Sequence, residues 1–393
     1  MKIRNERKNK MKGLCCAAMA FVFLSTSLYG CGKTDREPKT EFVASTVETA
    51  EKESDKEPEA EQPAITFPEN FSETIGNVTF NMDIIVNADL TEGSVVTAKA
   101  QMQKVNQEKA LPLFFSDIAS YETYDYEEED EYGKMSHSVT YVTPEETTLS
   151  YGPESSKLEY MERDLMPSVL NTFVPFEDDR YNVDLYSTEA QLPFQTREEA
   201  FKTVEKTLQA VDINMESDYT GYALNYETMQ SQEYYEDMDG HIDKSQYKQQ
   251  WSDADDCYYF YINQIYRGLP LYHVYNQVFG DAGDINAPVQ AVVSEEGIEW
   301  LKIEKVFALS DEQGGVSLAD MDAVIKTAAD KYKQVSGDAA YEVTKAKLYY
   351  YVDLSSGMGT YDVKPARILS GYQKGGKKMQ IIIDAQTAEE ILP

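Results

Sequence analysis

The chain has 393 residues and a formal net charge of −33 at pH 7. Nucleic acid is not an expected partner, because phosphate binding needs clustered cations and a chain this acidic repels polyanions. The length beyond the N-terminal segments is enough for about two domains.

Residues 1–30 have the order of a secretory signal peptide: a basic segment, an apolar segment and a small residue before a cleavage point. The apolar segment, residues 14–28, is short for a membrane span. It ends in LYGC at residues 28–31, which resembles a bacterial lipobox. That resemblance implies that the Cys31 thiol is acylated, for example by palmitate, and that Cys31 becomes the first mature residue. The alternative is a plain signal peptide or an N-terminal anchor helix.

Cleavage before Cys31 would leave 30 basic and 68 acidic residues, a net charge of −38. Cys257 would then be the only cysteine without lipid, so no intramolecular disulfide is available and the fold must rest on its core. Residues 31–68 are rich in Glu, Lys, Thr and Pro, which predicts an acidic disordered tether. The sequence thus predicts a lipid-anchored protein on the extracytoplasmic face of the cell membrane.

Residues 69–194 are predicted to form an N-terminal β-rich domain. Apolar and polar residues alternate over residues 78–88 and again over 96–102, with a turn between them, which predicts an antiparallel hairpin. A short helix broken at Pro112 is predicted over residues 106–116. Two further strands are predicted around Gly152, at residues 147–151 and 157–162.

Residues 195–393 are predicted to form a C-terminal domain of two related units, near 195–310 and 316–393. Each unit opens with an amphipathic helix, beginning near the capping box of Thr196 and near Ser317. Strands follow each helix; they are predicted at residues 219–228, 258–266, 289–294, 298–307, 343–353, 363–370 and 379–384. This pattern predicts an α+β fold in which helices pack on one face of antiparallel sheets.

Three segments resemble the strand–turn–strand phrases of PepSY-like modules and of YycH/YycI-type extracytoplasmic regulators of sensor kinases. They are YFYINQIYRGLP at 259–270, AVVSEEGIEWL at 291–301 and QIIIDAQTAEEIL at 380–392. The resemblance implies helices packed on antiparallel sheets and a regulatory role. Ala388 stands where the family usually has glycine, so we expect the final turn to differ. The whole chain also resembles Gram-positive surface lipoproteins with an acidic tether.

Residues 237–243 (DMDGHID) resemble the middle of an EF-hand calcium loop. The first and twelfth loop positions would be Tyr235 and Gln246, which are not carboxylates, so we favour a turn around Gly240. Acids at 127–131 and 253–256 are predicted to lie in solvated loops or turns.

No residue is predicted to be catalytic or to hold a metal or a cofactor. Cys257 has acidic neighbours that would not activate a thiol, so a structural role is favoured. Exposed tyrosine rings would suit sugar stacking, although packing within a strand is the favoured interpretation; the tyrosines concerned are Tyr258, Tyr259, Tyr261, Tyr266, Tyr272 and Tyr275. The histidines, His137, His241 and His273, are scattered, and no nucleophile, phosphate-loop or dinucleotide motif is present.

These features predict a non-enzymatic lipoprotein that binds or regulates an envelope protein or binds a cell-wall glycan through an aromatic sheet face. One alternative is a carbohydrate-active hydrolase that uses a pair of carboxylates, whose positions depend on the fold and not on sequence spacing. Another is a ligand-capture lipoprotein of a transporter, which would require alternating βαβ units.

Overall fold

The structure, a computed structural model, describes residues 64–115, 120–129, 135–152, 157–162, 164–175, 180–237, 239–272, 287–333, 339–356 and 359–392. The predicted signal peptide, Cys31 and the predicted tether up to residue 63 lie outside the described residues. The first backbone pairing among the described residues lies near the C-terminal end of the predicted tether. Ala64 forms a β-bridge with Thr91, and the Ile65 N–H donates to the Leu90 carbonyl at 2.8 Å.

The described residues form a mixed fold with one large, mainly antiparallel sheet and few helices, which confirms the predicted α+β class at that level. The strands are β1 Asn70–Ile75, β2 Val78–Ile85, β3 Thr97–Met102, β4 Glu122–Glu129, β5 Met135–Val142, β6 Thr148–Gly152, β7 Lys157–Met161, β8 Glu216–Leu224, β9 Cys257–Tyr266, β10 Leu269–Tyr272, β11 Val289–Ser294, β12 Gly297–Ile303, β13 Phe307–Gln313, β14 Tyr341–Asp353, β15 Tyr361–Gln373 and β16 Lys378–Asp384. The α-helices are α1 Gln107–Phe114, α2 Met166–Thr172, α3 Arg197–Ala210, α4 Tyr226–Gln232 and α5 Met321–Lys333.

The sheet consists of two parts that meet at β10. The first half-sheet runs β8-β9-β11-β12-β7-β6-β5-β4, with every neighbouring pair antiparallel. The second half-sheet contains β1, β2, β3, β13, β14, β15 and β16. Strand β10 pairs antiparallel with β9 and parallel with β14, so it joins the two parts.

Helix α3 covers one face of the first half-sheet. Its N-terminus has the predicted capping box: the Glu199 N–H donates to Thr196 Oγ1 at 3.2 Å, and the Thr196 N–H donates to the Glu199 carboxylate at 2.9 Å. These bonds satisfy donors that the first helical turn leaves free. The buried stripe of α3, Ala200, Phe201, Val204 and Leu208, packs on strand residues such as Phe260 and Leu301.

The opposite face of this half-sheet is also buried, which differs from the predicted one-faced packing. Helices α2 and α4 and the chain around Phe173 and Tyr186 cover Tyr259, Tyr261 and Trp300. Residues of β9 therefore contact a core on both sides, and the burial of Cys257 to Ile262 is continuous along the strand. Such two-sided burial gives an uninterrupted apolar run in place of alternation.

Helix α5 covers the second half-sheet in the same way that α3 covers the first. Val324, like Val204 of α3 at an offset of 120 residues, is 0% exposed and faces the sheet. Antiparallel strands follow both helices, β8-β9-β11 after α3 and β14-β15-β16 after α5. The two stretches thus share one order of elements.

The predicted hairpin between residues 78–88 and 96–102 is wrong. Both strands form, but β2 pairs with β1 and, in parallel, with β14, while β3 pairs with β13 and β15. Because β14 and β15 are long central strands, they offer more extended partners than two short neighbours could offer each other.

Strand pairing also crosses the boundary predicted between residues 194 and 195. Strands β1 to β3 belong to the second half-sheet, and β7 pairs with β12 of the first. The predicted N-terminal segment therefore contributes strands to both half-sheets. The predicted helix at 106–116 is present as α1, with Pro112 inside it and Asn106 as its N-cap.

Candidate functional site

An acidic cavity of about 570 Å³ opens where β7 ends and β12 begins. Its lining includes five carboxylates and one lysine: Glu162, Asp164, Asp255, Glu296, Glu299 and Lys248. We call it the acidic cavity. One cation beside five acids gives the cavity an excess of negative charge, which favours a positively charged ligand.

Strand pairing places Glu162 beside Glu299. The register of β7 and β12 pairs Met161 with Trp300, and one residue further the Glu162 N–H donates to the Glu299 carbonyl at 2.7 Å. Residues directly opposite each other in an antiparallel pair project from the same face with Cβ atoms about 4.5–5.5 Å apart. Two like charges at this position repel each other, so the pair disfavours full ionisation.

Glu299 is the buried member of this pair. Its side chain is 7% exposed, and the Ser294 hydroxyl donates to its carboxylate. Burial raises the pKa of Glu299 above its ordinary value, and the charges of Glu162, Glu296 and Asp164 add to the shift in pKa. Glu299 therefore holds a proton more readily than a solvated glutamate does.

Glu162 is fixed by two hydroxyl donors. The Thr147 hydroxyl donates to Oε1 at 2.8 Å, and the Tyr160 hydroxyl donates to Oε2 at 3.1 Å. Burial and the neighbouring charge of Glu162 raise the pKa of Tyr160 well above its usual range, so the phenol stays protonated and keeps donating. Glu162 is thus a rigid acceptor with a fixed orientation.

The rim opposite the strands is built by residues 244–256. Lys248 Nζ lies 3.1 Å from an oxygen of Asp255, and its backbone N–H donates to Glu233 at 2.6 Å. The Trp251 indole donates to the other oxygen of Glu233 at 3.1 Å. These contacts hold the single lysine of the acidic cavity against one of its acids, so Lys248 offsets Asp255 more than it does Glu162 or Glu299.

Three of the tyrosines considered for sugar stacking are buried, and two others, Tyr266 and Tyr272, are half-buried. Tyr258, Tyr259 and Tyr261 are 0%, 5% and 1% exposed. The Tyr258 hydroxyl accepts from the Leu192 N–H at 2.6 Å, and the Tyr259 hydroxyl donates to Gln290 at 3.1 Å. For Tyr258, Tyr259 and Tyr261 the structure therefore agrees with the favoured interpretation, packing within the strand. Tyr275 lies outside the described residues.

Asp237 and residues 239–243 belong to a small turn, beside the β-bridge between Glu236 and Ile242. Asp237 Oδ1 accepts from the backbone N–H groups of Asp239 and His241, both at 2.9 Å, and Gly240 has a φ of 80°. The side chains of Asp237, Asp239 and His241 lie close enough together to share a cation, but they are largely exposed. The turn itself accounts for the spacing of these residues, which is the interpretation favoured from the sequence over a calcium loop.

The other acidic runs differ in part from the predicted solvated loops. Glu127 lies in β4 and not in a loop; among the described strands, β4 is a charged edge strand that pairs with β5 alone. Charged side chains on an edge strand hinder pairing with another chain. Asp256 is 5% exposed and accepts from the Tyr226 N–H at 2.7 Å; burial raises its pKa.

Cys257 is free and 0% exposed, and burial raises the pKa of its thiol well above the ordinary value, as suits a structural residue. Cys31, Asp130, Glu131 and His273 lie outside the described residues. Glu162 and Glu299 are not among the site residues predicted from the sequence. No spacing motif links them, because their proximity depends on the pairing of strands that lie far apart in the chain.

No protein-family model matches the chain, and the comparison with curated proteins finds no relative. Among solved structures, the chain is similar to an uncharacterised protein from Eubacterium rectale ATCC 33656, with 19% identity and a TM-score of 0.54. The similarity covers 83% of this chain and 94% of that one. This likeness shows the fold alone.

The chain is also similar to the Bacillus megaterium YpeB C-terminal domain, with 11% identity over 73% of this chain and 96% of that one. The TM-score of 0.26 is too low for this likeness to carry an argument. Among the described residues, no helix is long and apolar enough to cross a membrane.

Proposed function

We propose that the protein is a lipid-anchored extracytoplasmic lipoprotein that binds an envelope protein through the acidic cavity and catalyses no reaction. The observation that carries the binding proposal is the lining of the cavity, five carboxylates beside one lysine already paired with Asp255. Such a site suits a lysine, arginine or other amine presented by a partner.

A protein partner is favoured over a glycan because three of the tyrosines considered for sugar stacking, Tyr258, Tyr259 and Tyr261, are buried in the core. The acidity of the whole chain supports the same choice, since a net charge of −33 steers cationic surfaces toward it and repels anionic polymers. Lipid attachment at Cys31 would hold the cavity near envelope proteins, and residues 31–63 would give it reach.

The proposal includes a relationship between the two half-sheets. We infer that α3 with its strands and α5 with its strands are copies of one PepSY-like unit. The shared element order and the matched burial of Val204 and Val324 support this. The segments that carry the resemblance mark turns and not catalytic residues, which is consistent with a binding role.

Photo-crosslinking in the native cell tests the proposal. A photoreactive residue placed at Ala254, an exposed residue of the cavity lining, should capture a protein partner that mass spectrometry identifies. The same residue placed at Ser72, an exposed position of β1, is the matched control. Capture of the same proteins from both positions, or capture that survives neutralisation of Glu162 and Glu299, would contradict the proposal.

One observation favours a second candidate, a carbohydrate-active hydrolase. Glu299 has a raised pKa and faces Glu162 across a strand pair, and a protonated acid beside a carboxylate is what glycoside hydrolysis uses. Glu162, however, already accepts two hydroxyl hydrogen bonds, which lowers its nucleophilicity. Release of reducing sugar from a polysaccharide panel, abolished by Glu299→Gln, would establish this candidate instead.

A further inference from the structure

Arg367 is a buried cation without a hydrogen-bond partner among the described residues. It lies on β15, opposite Leu348 of β14 and Ile383 of β16, and its side chain is 0% exposed. Within the part of the chain that the structure describes, none of its three guanidinium nitrogens, Nε, Nη1 and Nη2, makes a hydrogen bond. Burial lowers the pKa of Arg367 to about 10, so the group is still charged at neutral pH.

A lone guanidinium in a core needs an explanation. Its five N–H donors are normally satisfied, and buried charges in proteins are normally paired. A methionine or leucine would fill the same space without the cost of removing a charge from water. An unpaired charge in the core therefore points to a group that arrives from outside the chain.

The Phe67 ring contacts the guanidinium. Arg367 Cζ lies 5.0 Å from the ring centroid, within the range of a cation–π contact. Such a contact attracts the charge but supplies no hydrogen-bond acceptor oxygen. The guanidinium donors form a fork that matches the two oxygens of a carboxylate or phosphate. The contact with Phe67 therefore leaves the need for a hydrogen-bonding partner unmet.

Residues 64–69, which we call the strap, give a route to this site. The strap lies outside the strands, and it carries Phe67 across the face of the second half-sheet. It is held by the bridge from Ala64 to Thr91 and by the bond from the Ile65 N–H to the Leu90 carbonyl. A segment attached in this way opens at a lower free energy than the core strands do.

We propose that Arg367 is the anion-binding residue of a site closed by the strap, and that its ligand is a small oxyanion held at the edge of the guanidinium. The site is independent of the acidic cavity. It lies on the second half-sheet and has the opposite charge. A negative result for this site would therefore leave the proposed binding function of the acidic cavity unaffected.

The test is thermal unfolding of the full chain in phosphate, acetate and chloride at equal ionic strength. Phosphate or acetate should raise the Tm of the wild type by about 2–3 °C over chloride. Arg367→Met keeps the volume and removes every donor, so its Tm should not respond. Comparison of the phosphate and acetate arms shows which oxyanion geometry the site prefers.

Labelling with an arginine-specific dicarbonyl gives a second measurement. Arg367 should label slowly in the wild type and faster in Phe67→Ala, and saturating oxyanion should slow its labelling about tenfold. Arg180, which is exposed, is the internal control. An equal rise in Tm for Arg367→Met, or the absence of both stabilisation and protection in the wild type, would overturn the proposal.

Discussion

The backbone N–H of Glu162 donates to the carbonyl of Glu299, with 2.7 Å between nitrogen and oxygen. This bond sets the two carboxylates side by side at the mouth of the acidic cavity. Glu299 is buried and accepts from Ser294, whereas Glu162 is held by Thr147 and Tyr160. The charge that a ligand would meet is therefore fixed by the strand register and by four hydroxyl and amide donors.

The first prediction concerns the dependence of stability on pH. Because burial raises the pKa of Glu299, the folded state binds a proton more readily than the unfolded state. The wild type therefore loses stability as the pH rises from about 4.3 through that raised pKa. Glu299→Gln keeps the acceptor for Ser294 and removes the ionisation. We expect it to be more stable than the wild type by on the order of 1 kcal/mol at pH 7.

Urea unfolding at several pH values measures this difference. It should shrink as the pH falls and vanish near about pH 3, where both states of the wild type are protonated. Glu342→Gln, at an exposed position of β14, is the control and should show little change. A Glu299→Gln variant that is less stable than the wild type at pH 7 would show that the ionised carboxylate has a stabilising partner.

The second prediction concerns Gly371 on β15. A Cβ atom built at this position would lie 1.9 Å from the Glu342 carbonyl oxygen, next to the bulge between Val343 and Lys345. Backbone atoms cannot yield by that amount, so Gly371→Ala should destabilise the fold by about 2 kcal/mol or more. Gly314→Ala serves as the comparison, because a Cβ atom there meets no atom within 4 Å. Thermal unfolding in which Gly314→Ala is the less stable of the two variants would contradict the close approach.

The third prediction concerns Ala388, where glycine was expected and a different turn was predicted. Ala388 instead adopts a φ of 58°, the conformation that glycine favours, and its N–H donates to the Asp384 carbonyl at 2.9 Å. Thr327 Oγ1 donates to the Ala388 carbonyl at 2.7 Å and so holds the turn against α5. Ala388→Gly should remain within about 1 kcal/mol of the wild type, because relief of strain offsets the lost methyl group.

Ala388→Val gives the contrast at the same position. A β-branched residue at this φ is strongly strained, so its free energy of unfolding should fall by about 2 kcal/mol or more. Chemical denaturation of both variants measures the difference. Equal stability of the valine and glycine variants would mean that the turn relaxes to a different conformation.

The fourth prediction concerns the anchor. Cys31→Ala should abolish labelling of the protein by a fatty-acid analogue and block normal processing, because the proposed site of lipid attachment is the thiol of Cys31. Cys257→Ala is the matched control, since that thiol is fully buried and should not affect labelling. Unchanged labelling of the Cys31 variant would end the lipoprotein proposal.

Local patterns in the sequence predicted α3, α5 and most strands of residues 195–393. They did not predict α4, whose first residues fall in the strand predicted at 219–228. The capping box at Thr196 and the stripes of α3 and α5 are local features, so their signals are complete within a few residues. The pairing of β2 with β3 was predicted wrongly because most of their partners are distant in sequence. β2 pairs with its neighbour β1, but its other partner β14 and the partners of β3, β13 and β15, lie more than 200 residues away.

The sequence itself indicates the two-sided burial of β9, although the predicted one-faced packing did not take it into account. Its apolar run from Cys257 to Ile262 does not alternate, which is typical of a strand with a core on both faces. The acidic cavity had no such signal. Glu162 and Glu299 become neighbours only through the register of β7 and β12, and nothing local to either residue fixes that register.

The central claim is that the acidic cavity binds a cationic group of a partner. The most direct measurement is a titration of the mature chain with a lysine-rich peptide at physiological salt. Wild type is compared with two variants of equal charge, one carrying Glu162→Gln, Asp164→Asn and Glu299→Gln, the other carrying Glu73→Gln, Asp218→Asn and Glu342→Gln at exposed positions elsewhere. We expect the cavity variant to bind at least about tenfold more weakly and the control to match the wild type. Equal weakening of both variants would contradict the claim, because it would show attraction to the overall charge and not to this site.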